Sequence, residues 1–188
     1  YFPTFDLRTV GNFLSIWDQG FSFWGAMVGF TAAMTFKLWR RGENLWKWYD
    51  ALIVPLLLGM AIGYIGAFLG GYSYGEPTNL PWGIRYEVIN VKYTVPVHPT
   101  QIYSFAVLML ILWSKKILKS KTSFFDKDGN TTVYIMTLLS LALFLLEFLR
   151  GDDTLIVLNN LRIAQFFFFA LFIFFLIQLI RRLKHEPV

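Results

Sequence analysis

The stretch IAQFFFFALFIFFLIQLI, residues 163–180, runs eighteen positions without a charged side chain. That is close to the ~20 apolar residues that cross a bilayer as a helix. Hydrocarbon offers no partners for backbone amides, so such a run satisfies its own hydrogen bonds and the helix follows. Comparable runs lie near 21–38, 50–70, 99–118 and 132–149, and the whole last span occupies about 161–180. The expectation is an all-α polytopic integral membrane protein with about five transmembrane helices. It forms a single membrane domain over residues 1–188, with the loop 71–98 as a small extracytoplasmic head. Charged residues are 15% of the chain, against the roughly 25% of a soluble domain.

The basic residues then orient the spans. Lys37, Arg40, Arg41 and Lys47 fall between the first two runs, and Lys115, Lys116, Lys119, Lys121 and Lys127 between the third and fourth. With Arg181, Arg182 and Lys184 after the fifth, 12 of the 17 Lys and Arg lie on one side. The positive-inside rule makes that side cytoplasmic and the C-terminus with it. The net charge of +5 is thus an orientation signal and implies no nucleic-acid partner. The second run carries Pro55 and five glycines; Gly59, Gly63, Ala67 and Gly70 form a thin strip that serves either close helix packing or a lipid groove.

Several chemistries are excluded. The chain has no cysteine, hence no disulfide framework, thiolate metal site or cysteine nucleophile. KSKTSFFDKDGN, 119–130, reads as an ordinary cytoplasmic turn, because its DKDG lacks the closing Glu of a calcium loop. No repeat of broken half-helices suggests a transporter. No cofactor is called for.

Polar residues that packing does not require collect on the other side. His98, one of two histidines, opens HPTQIY at the mouth of the third run, with Gln101 and Tyr103 following. Pro99 at a helix start and a polar cap at headgroup depth would explain the motif without function. Asp18 and Gln19 precede the first run, GGYSYGEP follows the second, and Arg85 lies in the 71–98 loop. Glu147, Arg150, Asp152 and Asp153 close the fourth run, and Gln165 lies in the fifth. Arg150 has ready ion-pair partners in Glu147, Asp152 and Asp153. Tyr72, Tyr74 and Tyr103 suit an interfacial aromatic belt, and Gln101 and Gln165 suit helix bridging. Ionisable groups at membrane depth are costly, and their convergence from several segments marks a site.

In order along the chain, these stretches resemble the bacterial prolipoprotein diacylglyceryl transferases. IWDQGFSFWGAMVGF (16–30) is similar to the segment around that family's His-Gly-Gly motif. GYIGAFLGGYSYGEPTNLPWGIRY (63–86) resembles its signature loop, with Gly63, Gly66, Phe68, Gly75 and the LPW of 80–82 in place. HPTQIY (98–103) matches its HPTQLYE, LLEFLRGDD (145–153) its final Arg-bearing motif, and LRIAQ (161–165) the opening of its last helix. The resemblance implies transfer of a diacylglyceryl group from phosphatidylglycerol to the lipobox cysteine of a prolipoprotein, in the bacterial cytoplasmic membrane. The partners it implies are phosphatidylglycerol, surrounding membrane lipid and the prolipoprotein signal peptide. Arg150, His98 and Tyr64 are the catalytic candidates; Gln101, Tyr103, Gly75, Arg85 and Gly63 are the substrate-binding ones.

Departures fall on functional positions. Trp24 stands where the family has the His of His-Gly-Gly, Tyr64 where it has its signature Arg, and Ala67, Tyr72 and Ser104 where it has Asn, Glu and Glu. The family's first membrane helix has no counterpart here, and the chain begins at Tyr1, so a preceding segment is one expectation. Two readings stand. In one, the transferase works with Arg150, His98 and Tyr64 in rebuilt roles. In the other, the fold persists as a membrane subunit that binds lipid or lipopeptide beside a partner subunit.

Overall fold

The computed structural model describes residues 23–87, 91–152, 156–158 and 161–184, the side chains of 23, 24 and 156–158 excepted. Two compact units divide the chain, Tyr1–Leu45 and Trp46–Val188. The first contains helix α1, Phe23–Arg40, closed by Gly42 at φ +67° and a hydrogen bond from Glu43 N to Leu38 O.

The second unit holds all but the first residue of α2 (Leu45–Gly70), with α3 (Thr100–Lys119), α4 (Asn130–Leu146) and α5 (Ile163–Lys184). A 3-10 turn, Glu147–Leu149, extends α4, and a short antiparallel hairpin of β1 (Ile156–Leu158) and β2 (Leu161–Arg162) leads into α5. Among the described residues, four helices are long and apolar enough to cross a membrane: α2, α3, α4 with its extension, and α5. Helix α1 covers most of the first expected span but is not one of the four. Its 18 residues end on Lys37 and Arg40, and residues 21 and 22 lie outside the described ones. The protein is a multi-pass, all-α membrane protein.

Helix α4 is the centre of the second unit. In its most apolar window 44% of residues are buried, against 11% in α5. Leu57 and Met60 of α2, Leu108 and Ile111 of α3, Ile135, Leu139 and Leu143 of α4 and Phe168 of α5 meet in one core. Lipid tails are as apolar as these side chains, so the association relies on close packing and on hydrogen bonds rather than on water exclusion. Buried Thr137 and Ser140 donate to Val133 O and Met136 O in their own helix, and the Ser114 and Tyr134 hydroxyls join α3 to α4 at 3.0 Å. Ile62 and Leu69, at 70% and 75% exposure, belong to the outward face of α2.

The turn between α3 and α4 is more than the connection its sequence suggests. Thr122 Oγ1 accepts from Phe124 N to open a 3-10 turn over Ser123–Asp126, which buries Phe124 and Phe125. Helix α4 then starts at Gly129, whose φ of +88° suits glycine and which offers no capping side chain. Asp50 of α2 supplies the cap instead. Its carboxylate accepts from Gly129 N, Thr132 N and Thr132 Oγ1 at 2.6, 2.7 and 2.6 Å. Arg182 of α5 closes the same corner, donating to Asp128 O and Asn130 Oδ1 and stacking 4.5 Å over Trp46.

Candidate functional site

At the opposite end of α4, three stretches of backbone cross. Gly75 N donates to His98 O at 2.9 Å, His98 N to Glu76 O at 3.0 Å, Glu76 N to Leu149 O at 2.9 Å and Gly151 N to Tyr74 O at 3.0 Å. The strand at Gly75 is therefore held between His98 and Arg150, the latter its bridge partner. The approach is close enough to require glycine. A Cβ on Gly75 would lie 2.5 Å from His98 Cβ and 2.8 Å from Leu149 O, and one on Gly151 would lie 2.4 Å from Gly75 O. Further along, Val97 bridges both Pro77 and Ile84, so the loop 71–98 is pinned at these positions as well.

On one side of this crossing lies an aromatic and amide group. Trp82 Nε1 donates to Tyr103 Oη at 2.8 Å, and that hydroxyl is 3.2 Å from His98 Nδ1. Fully buried Gln101 donates to Tyr72 O at 2.6 Å and receives the Tyr86 hydroxyl at 3.5 Å. Thr100 Oγ1 donates to Ser73 O; Ser73 itself sits at φ +56°. HPTQIY thus does more than cap α3: Thr100 and Gln101 fasten the end of α2 to the start of α3. Tyr72 remains exposed, as a belt residue would, but Tyr74 is buried and accepts from Lys92 N at 3.1 Å. A belt position needs a tip in the interface, and Tyr74 spends its hydroxyl on the loop backbone.

On the other side is a cluster of four formal charges. Arg150 Nε donates to Asp152 Oδ1 at 3.0 Å, its Nη2 to Asp152 Oδ2, and its Nη1 to Glu147 Oε2 at 3.3 Å. Arg162 Nη1 reaches Asp152 Oδ1 at 3.2 Å and Glu147 Oε1 at 3.6 Å, while its Nη2 donates to Arg150 O at 2.5 Å. Gln165, from the first turn of α5, accepts Arg162 N at 2.8 Å. Glu147 is 3% exposed, and its Oε1 has no hydrogen bond among the described residues, only the Arg162 charge. Burial opposes the charge on Arg150, but the hydrogen bonds and charge of Asp152 and the charge of Glu147 outweigh it. They hold the guanidinium above its usual range.

The candidates are brought together in part. Arg150, Gly75 and His98 share the crossing, and Tyr103 and Gln101 line its flank. Tyr64 is half-buried on α2 and lies within the field of Arg150 and Glu147, while the Ser104 hydroxyl donates to Thr100 O at 2.9 Å. Arg85 is exposed on the loop, with no ion pair among the described residues. Gly63 lies on the outward face of α2; at Gly59, Gly63 and Gly66 an added Cβ would meet nothing within 4 Å among the described residues. Asp18, Gln19, Asp153 and His185 lie outside the described residues, as does the side chain of Trp24.

Sequence reasoning did not single out Arg162 or Trp82 for the site. Arg162 had one usable signal, its place beside Gln165 at the mouth of the last span. Trp82 had its place in the LPW of the signature loop.

The family model described as prolipoprotein diacylglyceryl transferase matches residues 1–181. The phosphatidylglycerol–prolipoprotein diacylglyceryl transferase of Polynucleobacter asymbioticus is 29% identical over 170 residues, 88% of this chain and 61% of that protein. The Campylobacter lari enzyme of the same name is 33% identical over 148 residues, 76% of this chain and 49% of that protein. The Synechococcus elongatus one is 32% identical over 164 residues, 81% and 54% respectively. The chain spans about half to three fifths of the length of these relatives. By this match over nearly its whole length, the chain belongs to the prolipoprotein diacylglyceryl transferase family.

Proposed function

We propose that the protein transfers a diacylglyceryl group from phosphatidylglycerol to the lipobox cysteine of a prolipoprotein. The observation that carries this reading is Arg150, a guanidinium held charged by Asp152 and Glu147 at the end of the central membrane helix. A phosphodiester at headgroup depth needs such a partner, and so does the phosphate that departs. The acceptor thiolate attacks the glyceryl carbon. A C–S bond forms as the C–O bond to phosphorus breaks, and glycerol phosphate leaves with the electron pair. The nucleophile belongs to the substrate, so a chain without cysteine is no obstacle.

In this reading Arg150 binds the phosphate. His98, set by the Tyr103 hydroxyl, accepts the thiol proton, with Tyr103 and Gln101 at the site mouth. Tyr64 and Gly75 shape the crossing, Arg85 offers a second anion contact from the loop, and Gly63 lies on the face along which acyl chains run. The site faces outward and the C-terminus lies in the cytoplasm, because the basic loops cluster at the other end.

A second reading has one observation in its favour. Tyr64 brings no charge where the family carries Arg, and Ser104, where the family commonly carries Glu, spends its hydroxyl on Thr100 O at 2.9 Å. Two uncharged side chains at these positions suit a subunit that binds lipid or lipopeptide within a complex and performs no transfer. The deciding experiment mixes purified protein in detergent with phosphatidylglycerol and a lipobox peptide and follows glycerol phosphate. Turnover that Arg150→Ala abolishes supports the transferase. Retained lipid or peptide binding without turnover supports the subunit, and unchanged phosphatidylglycerol binding by Arg150→Ala removes Arg150 from either role.

A further inference from the structure

We infer that Arg162 is a positioning residue for the anion site: it neutralises the carboxylates that would otherwise cancel the charge of Arg150. The inference rests on the reading of Arg150 as the phosphate partner and deepens it. Arg150 does not stand alone as a cation. Two carboxylates, Asp152 and Glu147, touch it directly, and both are partly or wholly removed from water. An arginine facing two carboxylates makes a group of net charge −1, which repels a phosphodiester. Arg162 brings the described group to zero, since it pairs with the same Asp152 at 3.2 Å and the same Glu147 at 3.6 Å.

The contacts also show how Arg150 can change partners. Three of the five N–H donors of Arg150 are spent on the carboxylates, which leaves two for a ligand. When a phosphate takes those donors, Asp152 and Glu147 keep a cation beside them in Arg162. Neither is then left as an unpaired buried charge, the costliest outcome in such a cluster. Arg162 is also fixed in place. Its guanidinium donates to Arg150 O, its own amide is taken by Gln165 Oε1, and it is 8% exposed. A rigid cation that serves both carboxylates from behind leaves Arg150 on the accessible side, at 25% side-chain exposure against 10% for Arg162.

Charge neutralisation and mere scaffolding make different demands, and a rescue separates them. The assay measures binding of phosphatidylglycerol by purified protein in detergent, with zwitterionic phosphatidylcholine as the reference lipid. Arg150→Ala is run alongside, and each variant is checked as a monodisperse folded species. Arg162→Gln is expected to weaken phosphatidylglycerol binding by about tenfold, with phosphatidylcholine binding unchanged. Arg162→Lys, which keeps the charge, is expected to stay within about threefold of the parent. The double variant Arg162→Gln with Asp152→Asn restores net zero and is expected to recover most of the loss. Failure of both Arg162→Lys and the double variant to recover binding would make Arg162 a scaffold and overturn the proposal. Parent-like binding by Arg162→Gln, with Arg150→Ala still defective, would overturn it too while leaving the function of Arg150 intact. If Arg150→Ala binds normally, the underlying reading has failed, and this inference falls with it.

Discussion

Helix α4 carries a carboxylate at each end, and the two are held in opposite ways. At its start Asp50, reaching over from α2, accepts two backbone amides and a hydroxyl. At its finish Glu147 opens the 3-10 turn that extends the helix, leaves one oxygen without a hydrogen bond among the described residues and depends on Arg150 and Arg162. The helix dipole accounts for the contrast. The amide end presents unpaired donors and partial positive charge, so an anion there is satisfied by the backbone. The carbonyl end presents the reverse, so an anion there requires imported cations. The first arrangement is a lock closed by backbone donors; the second is a network of side-chain charges, the arrangement that the proposed phosphate site calls for.

The contrast can be broken most forcefully at Gly75, which the second arrangement depends on. Gly75→Ala sets a methyl against backbone on both sides, and a stability loss of about 3 kcal/mol is expected, together with loss of lipid binding. Thermal unfolding in detergent and a headgroup-binding assay read the two effects. Next comes Asp50→Ala, expected to cost about 2 kcal/mol by leaving the α4 amides uncapped. The folded fraction should bind phosphatidylglycerol as the parent does; a binding defect in that fraction would erase the distinction between the two ends. Asp152→Asn sharpens it from the other side, with a stability cost of about 1.5 kcal/mol and severalfold tighter phosphatidylglycerol binding, measured by the same assay. Tyr103→Phe removes one hydroxyl shared by Trp82 and His98 and should cost about 1 kcal/mol, seen in the unfolding midpoint. The smallest effect concerns pH. The Arg150 value is raised, so its charge is complete below the ordinary arginine range and is lost only above it. Its contribution to headgroup binding should be flat from about pH 6 to 9, and a slope there would assign that binding to another titrating group.

The same two ends show what the chain discloses by itself. Helices α2 to α5 are legible because each is an apolar run of membrane length. The pairing of Arg150 with Glu147 and Asp152 is legible because three and two residues separate them. Family motifs gather His98, Gln101 and Gly75 into one region. Other features depend on distances along the chain that no local pattern encodes. Asp50 meets Gly129 across 79 residues, Trp82 meets Tyr103 across 21, and Arg162 returns to Asp152 through a hairpin ten residues on. Tyr74 reads as an interfacial tyrosine until the loop backbone is seen to claim its hydroxyl. Helix α1 has nearly the length of a fifth span, but its 18 described residues include both Lys37 and Arg40 and are less apolar than the four described helices of membrane-crossing character.

The cap that Asp50 provides also bears on the order of biogenesis. Asp50 emerges from the ribosome long before Gly129 and Thr132, and α3 must be threaded between. Until residue 132 is made, α2 has no α4 to hold, and the Asp50 carboxylate lacks its three donors. The corner therefore closes late, in one step that joins α2 to α4 and is completed only when Arg182 arrives at the end of α5. A chain halted before Gly129 lacks this latch on α2, whereas one carried past Arg182 holds every residue that forms it.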